Sequence, residues 1–196
     1  MKSIYLKLLV LIMIAISCSE DDNINITNNE HEKYAGKYNI ISFRSDIPVD
    51  LNNDGVTSYE LTSEINSLGF SDLEIRANRN NSEDFENLLS FFFPKTWISF
   101  QTYNSKPYTQ FIDYGFITYY SFKENTFKLK KTKYLEEAYI DNVESNKVVK
   151  LGNPIKVIDS NHLGFSLFKK FYDFKRGDWV DLNIEIIYEK IDLENL

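Results

Sequence analysis

The amino-acid sequence predicts an all-β fold, an antiparallel up-and-down β-barrel of about eight strands with one short helix. The chain of 196 residues contains 15 Phe and 13 Tyr. After residue 17 it has only three alanines, Ala35, Ala77 and Ala138. Aromatic residues favour strands and alanine favours helices. Short segments of alternating apolar and polar residues, separated by turn signals, recur along the chain and indicate strands.

The last predicted strand shows the clearest alternation. Val180, Leu182, Ile184, Ile186 and Tyr188 are separated mostly by polar residues. A period of two with one polar face is typical of a strand that is covered on one side. Weaker signals predict the other strands, at residues 38–45, 72–77, 97–103, 108–122, 127–129, 155–158 and 163–174. Eight consecutive antiparallel strands favour a closed barrel, because closure leaves no exposed sheet edge.

The helix is predicted over residues 58–68. Thr57 followed by Glu60 forms a capping-box pattern at its start. Apolar residues then recur at helical spacing, at Leu61, Ile65 and Leu68. Gly69 supplies a C-terminal stop.

The N-terminus predicts a secretory signal peptide over residues 1–17. Lys2 and Lys7 precede nine apolar residues, whereas a membrane-spanning helix needs about 20. The run ends at a small residue followed by Cys18, a pattern that resembles the lipobox of bacterial lipoproteins. That resemblance implies a lipidated Cys18 that anchors the protein to the membrane. An ordinary signal peptide with an unmodified thiol is the alternative.

Residues 18–32 contain few apolar side chains and predict a flexible acidic tether, so the barrel domain is expected over 33–196. The acidic triplet at 20–22 resembles the export signal of surface-exposed lipoproteins in some Gram-negative bacteria. We therefore expect an outer-membrane lipoprotein on the cell surface, with a periplasm-facing location as the alternative. Cys18 is the only cysteine, so the domain forms no internal disulfide.

The order of motifs in the domain resembles the lipocalin-like lipoproteins of Gram-negative bacteria. Gly36 and Tyr38 open the first strand, and the acidic loop at 50–55 and a run of antiparallel strands follow. The likeness covers roughly residues 33–192. It implies a lipocalin-like barrel that binds a small apolar ligand or lipid.

The loop at 50–55 matches the first half of a calcium-binding loop. Oxygen ligands at alternate positions, with Gly55 at the sixth, suit the sharp turn around a hard cation. The bidentate Glu expected at position 12 is replaced by Leu61. The candidate calcium ligands are Asp50, Asn52, Asp54, the Val56 carbonyl, and Glu60 or Glu64. Ordinary turn chemistry before a helix explains the same residues equally well.

Charge and motif content limit the functional classes. The formal net charge of −7 excludes a general nucleic-acid-binding protein. The two histidines, His31 and His162, are far apart, and no nucleophile or phosphate-binding motif is present, so we expect no enzyme. One basic cluster stands out, at Lys128, Lys130, Lys131 and Lys133. It fits anionic lipid headgroups or acidic glycans, or the solvated face of an edge strand.

These observations predict a membrane-anchored, monomeric, non-catalytic binding module. Its aromatic residues either line a pocket for a small apolar ligand or lipid, or fill the barrel as its core. In the second case the protein is a surface interaction module that binds a partner protein or a glycan. The segment 111–122 carries aromatics on both faces, so its outer face is either covered by a helix or forms an apolar binding surface.

Overall fold

A computed structural model describes residues 30–65, 68, 72–78, 87–99, 108–140 and 143–192. The predicted signal peptide, Cys18 and residues 19–29 of the tether lie outside these ranges. The described chain begins with a 3₁₀ helix, Glu30–Tyr34. Its last residue, Tyr34, is buried, and its carbonyl accepts a hydrogen bond of 2.7 Å from the Tyr38 hydroxyl. His31, which the sequence assigned to the end of the tether, packs its ring against Tyr120 of the barrel.

The described residues form eleven strands. They are β1 (Gly36–Val49), β2 (Ser58–Glu60), β3 (Leu73–Arg76), β4 (Leu88–Ser99), β5 (Tyr108–Lys123), β6 (Thr126–Leu129), β7 (Lys133–Ile140), β8 (Val143–Leu151), β9 (Ile155–Val157), β10 (His162–Asp173) and β11 (Asp178–Lys190). Within the described ranges, no helical segment has the length and apolar character needed to cross a bilayer.

Eight of these strands close into an antiparallel barrel, which confirms the predicted fold class. The order around the barrel is β11, β1, β3, β4, β5, β6, β9, β10, and β10 then pairs with β11. Short β2 pairs with β1. The β7–β8 hairpin, which the sequence did not predict, pairs with β10 through β8 and, in parallel, with β4 through β7.

The predicted alternation in β11 is confirmed. Leu182, Ile184, Ile186 and Tyr188 are fully buried, whereas Glu185 is exposed. The neighbouring strand β10 pairs with β11 along its whole length. Side chains on one face of a strand point the same way, so these four residues form one wall of the core.

The predicted short helix over 58–68 is wrong in the part that the structure describes. Residues 58–60 form β2, and 61–64 form a turn. The Glu60 carboxylate does not cap a helix but accepts hydrogen bonds from the Phe43 amide (2.8 Å) and the Ser42 hydroxyl (3.3 Å). The Leu61 amide donates to the Phe43 carbonyl at 2.7 Å. Pairing with β1 thus satisfies the groups that a helix would otherwise have satisfied internally.

Aromatic rings meet across the centre of the barrel. Phe165 of β10 stacks on Phe91 of β4, with ring centroids 5.2 Å apart, and lies 6.3 Å from Phe93. Strands β4 and β10 are four positions apart in either direction around the eight-strand ring, so they face each other. The side chains of opposite walls are therefore in contact at this level of the barrel.

Candidate functional site

A groove of about 480 Å³ lies on the outer wall where β5 pairs with β6. The antiparallel register places Tyr120 opposite Leu129 and Ser121 opposite Lys128. Tyr120 and Leu129 are buried, and the exposed side chains at the groove are those of Tyr119, Ser121, Lys128 and Lys130. Its lining residues are Asn87, Tyr119, Tyr120, Ser121, Lys128, Leu129 and Lys130.

Tyr119 and Lys130 form the exposed edge of the groove. The Tyr119 side chain is 40% exposed, and the Lys130 ammonium lies 5.1 Å from the centre of its ring. The Lys130 amide also donates to the Tyr119 carbonyl at 2.8 Å. A cation held near an aromatic face gives this wall both a stacking surface and a positive charge.

Tyr120 lies behind the groove, with its side chain directed into the barrel. Its side chain is buried beside His31 and Phe127, with ring centroids 5.9 Å and 5.2 Å away. Its hydroxyl is buried without a hydrogen-bond partner. Burial raises the pKa of this phenol, so it stays protonated and keeps its donor. The hydroxyl therefore belongs to the barrel interior and is separate from the exposed side chains of the groove.

The structure divides the predicted lysine cluster. Lys128 and Lys130 line the groove, whereas Lys131 and Lys133 are exposed at the start of the β7–β8 hairpin. The outer face of β5 is exposed at Ile117 as well as at Tyr119. Among the described residues, no helix covers the outer face of β5 at these two positions.

The acidic loop at 50–55 adopts a tight turn. The Asp50 carboxylate accepts a hydrogen bond from the Gly55 amide through Oδ2 at 3.0 Å. Asn52 Oδ1 accepts from the Asp54 amide at 2.9 Å, and Asp54 Oδ1 accepts from the Val56 amide at 2.7 Å. Gly55 has φ of 89°, which side-chain-bearing residues rarely adopt.

The two predicted glutamates have different positions relative to this loop. Glu64 is 4% exposed, and its Oε2 accepts from the Leu51 amide at 3.0 Å. Burial raises the pKa of Glu64, and the charges of Asp54 and Asp50 raise it further, so these carboxylates lie close enough to repel. Glu60 instead bonds to β1.

A further carboxylate beside the loop has no counterpart in the sequence-based prediction. Asp173, at the end of β10, is 1% exposed, and its Oδ1 accepts from the Asp50 amide at 3.3 Å. Its Oδ2 lies 3.2 Å from Arg176 Nε. No local pattern marks it, because 123 residues separate it from Asp50. Within the described residues, no three His, Cys, Asp or Glu side chains already stand at metal-binding spacing.

An ion pair between Lys169 of β10 and Glu136 of β7 lies inside the protein. Both side chains are fully buried, and Glu136 Oε2 has no hydrogen-bond partner. Burial lowers the pKa of Lys169 and raises the pKa of Glu136, and the opposite charge of each partner counteracts both shifts. Sequence analysis did not identify either residue.

The two histidines occupy different environments. His31 packs against Tyr120, and its Nε2 lies 3.2 Å from Asn87 Oδ1. His162 Nδ1 lies 2.9 Å from the Asp159 carboxylate in the turn before β10. The second ring nitrogen of His162, Nε2, lies 3.6 Å from the Glu189 carboxylate, so this imidazole stands between two acidic side chains.

Comparison with models of protein families, with curated proteins and with solved structures finds no match to this chain. The function is therefore inferred from the fold and from the geometry of the groove, the acidic loop and the barrel interior.

Proposed function

We propose that this protein is a membrane-anchored, non-catalytic interaction module whose filled barrel binds an acidic glycan in the groove between β5 and β6. The contact of Phe165 with Phe91 across the barrel is the single observation that carries this proposal. A pocket for a drug-sized ligand occupies several hundred Å³. Rings that stack at 5.2 Å between opposite walls leave no such space at that level. This favours an outer binding surface over an apolar ligand or lipid held inside the barrel.

The groove supplies the chemistry that an acidic sugar needs. The exposed ring of Tyr119 offers a face for the C–H groups of a pyranose, and Lys128 and Lys130 offer charges for a carboxylate or sulfate. The chain as a whole is acidic, so the two lysines of the groove attract an anionic ligand to it.

The anchor places this groove at a membrane. We propose that Cys18 is the lipidated first residue of the mature protein and that the acidic triplet behind it directs the protein to the outer surface of the outer membrane. The tether then separates the barrel from the bilayer. A groove on a surface-exposed barrel is accessible to extracellular polysaccharide.

Calorimetry with the full-length protein in detergent tests the proposed ligand. Oligogalacturonate is the acidic probe, and a neutral glucan oligosaccharide of equal length is the control. We expect saturable binding of the acidic probe alone. Tyr119→Ala and Lys130→Ala should each weaken it about tenfold, the loss expected from roughly 1.4 kcal/mol of stacking or charge contact.

Lys150 and Phe168 provide a matched control. The Lys150 ammonium lies 5.1 Å from the Phe168 ring, the same spacing as Lys130 and Tyr119, but on β8 and β10. Lys150→Ala should leave binding unchanged. Equal losses in Lys150→Ala and Lys130→Ala would contradict a specific groove. Native mass spectrometry of the same sample provides a second test, because a copurified lipid retained by Tyr119→Ala would support the interior ligand instead.

A further inference from the structure

We infer that the loop at 50–55 binds one calcium ion, with oxygen ligands from Asp50, Asn52, Asp54, the Val56 carbonyl and Glu64. This inference does not depend on the proposed glycan groove. The loop lies at the end of β1 and contacts the turn between β10 and β11, where the Phe174 amide donates to the Asp50 carbonyl at 2.8 Å.

The first support is the conformation of the loop. The hydrogen bond from the Gly55 amide to Asp50 Oδ2 joins the first and sixth positions and bends the chain into a tight turn. The side chains of Asn52 and Asp54 cap the next turns of the backbone at 2.9 and 2.7 Å. Calcium loops use alternate oxygen-bearing positions and a glycine at the sixth, and this loop has both.

The second, independent support is an orphaned oxygen. Asp50 is 2% exposed, and its Oδ1 is buried without a hydrogen-bond partner. Its other oxygen accepts from the Gly55 amide, so the carboxylate is held beneath the turn. A buried carboxylate oxygen without a partner is costly, and a cation is the partner that removes this cost most completely.

The third support is the charge balance. Asp50, Glu64 and Asp173 are all at least 96% buried, at 2%, 4% and 1% exposure. Asp50 and Glu64 accept from backbone amides of Gly55 and Leu51, which carry no net charge. Arg176 pairs with Asp173, but its own side chain is about half exposed. A divalent cation would offset the remaining negative charge.

The donor set selects the metal. Carboxylate, amide and carbonyl oxygens suit calcium, whereas zinc prefers the nitrogen and sulfur of His and Cys. The side chains of Asn52 and Asp54 are exposed and bond to each other at 3.1 Å, so they can turn toward an ion. A flexible loop of this kind favours calcium over magnesium, which requires a near-octahedral site. Glu60 is left out of the ligand set because β1 holds its carboxylate.

Calorimetric titration of the full-length protein with calcium tests this inference, with magnesium as the competing ion. We expect one saturable calcium site, and a rise in the thermal unfolding temperature of a few degrees at about 100-fold excess over Kd. Asp54→Asn should weaken calcium binding about tenfold or more, since affinity depends on the number of charged ligands. Asp54 is exposed, so this variant should unfold at the wild-type temperature when calcium is removed with chelator.

Glu124→Gln removes an exposed carboxylate far from the loop and is the matched control. It should bind calcium as the wild type does. If Asp50→Asn folds, it should no longer bind calcium. If it does not fold, the calcium affinity of Asp54→Asn decides whether the site exists. Absence of a saturable heat in the wild type, or equal affinities in the wild type and Asp54→Asn, would overturn the calcium site. Neither result bears on glycan binding by the groove, because the groove at β5 and β6 shares no residue with the loop.

Discussion

The Lys169 ammonium and the Glu136 carboxylate form an ion pair inside the protein, with both side chains fully buried. Lys169 lies on β10 and Glu136 lies on β7, so the two residues are 33 positions apart in the sequence. The pair therefore connects strand β7 of the hairpin to strand β10 of the barrel. Burial of two charges is costly in itself, and their mutual attraction offsets much of that cost.

Breaking this pair should destabilise the protein strongly. Lys169→Met or Glu136→Leu should each reduce the free energy of unfolding by about 3–5 kcal/mol, because each leaves an unpaired buried charge. The double variant should be close to the wild type, since replacement of both charges by apolar groups is often neutral or stabilising. Urea denaturation at pH 7 measures all three. A double variant as unstable as the sum of the singles would show that the two side chains are not coupled, and it would contradict the ion pair.

Phe165 should be a sensitive aromatic position of β10. Phe165→Ala should reduce the free energy of unfolding by about 3–5 kcal/mol, because its ring contacts Phe91 and Phe93 across the barrel. Phe168→Ala is the control on the outer wall of the same strand, where the ring is only half buried. It should cost about 1 kcal/mol, as expected for a partly exposed side chain. Chemical denaturation measures the free energy of unfolding of both variants. Equal losses of stability would contradict a barrel centre that is filled by Phe165.

The stability of the turn between β9 and β10 should depend on pH through His162. The hydrogen bond to Asp159, and the negative charges of Asp159 and Glu189, raise the pKa of His162 above its usual 6.5. The raised value means that the folded protein binds the proton more tightly. This contribution to stability is therefore fully present below pH 6.5 and is lost as the pH rises through the raised pKa. Proton NMR titration should show the shift, and Asp159→Asn should bring the pKa back toward 6.5.

The Asp159 carboxylate should limit the stability of the same turn at acid pH. Hydrogen bonds from the Asn161 amide and from His162 lower its pKa below the usual 3.8. The contribution of Asp159 to stability is therefore present above pH 3.8, and it is lost as the pH falls through the lowered pKa. Carbon-detected NMR of the Asp159 carboxyl should give a midpoint below 3.8 in the wild type. A midpoint at or above 3.8 would contradict these contacts.

Glu60 should act as a structural residue and not as a calcium ligand. Glu60→Ala leaves the Phe43 amide without its acceptor and should cost about 1–3 kcal/mol. Glu60→Gln keeps an acceptor oxygen and should cost about 1 kcal/mol or less. Urea denaturation measures both effects. Calcium titration of Glu60→Gln should match the wild type, and a lost site would place Glu60 among the ligands.

Cys18→Ala should release the protein from membranes. Each buried CH₂ group of an attached acyl chain contributes about 0.8 kcal/mol to membrane binding, so loss of the lipid removes the anchor. Metabolic labelling with palmitate and membrane fractionation test this, with Ser19→Ala as the control. Labelling of the wild type and Ser19→Ala, but not of Cys18→Ala, is the expected result. Membrane retention of unlabelled Cys18→Ala would contradict lipidation as the anchor.

The sequence by itself predicted the features that depend on neighbouring residues. The alternation from Val180 to Tyr188 was sufficient for β11, because a strand with one buried face needs only period two. Aromatic abundance and scarce alanine were sufficient for an all-β barrel. The helix over 58–68 was wrong for a related reason: its capping pattern was local, but Glu60 found a partner in β1, which no local pattern contains.

Only the tertiary structure decided which polar residues are buried. Strand β7 was missed because its inner face carries Glu136, and a charged residue normally indicates a solvent face. Glu136 is buried because Lys169 neutralises it, and Asp173 meets Asp50 only because β10 ends beside the acidic loop. Burial of a charge depends on a partner that is distant in the chain, and only the closed barrel brings such partners together.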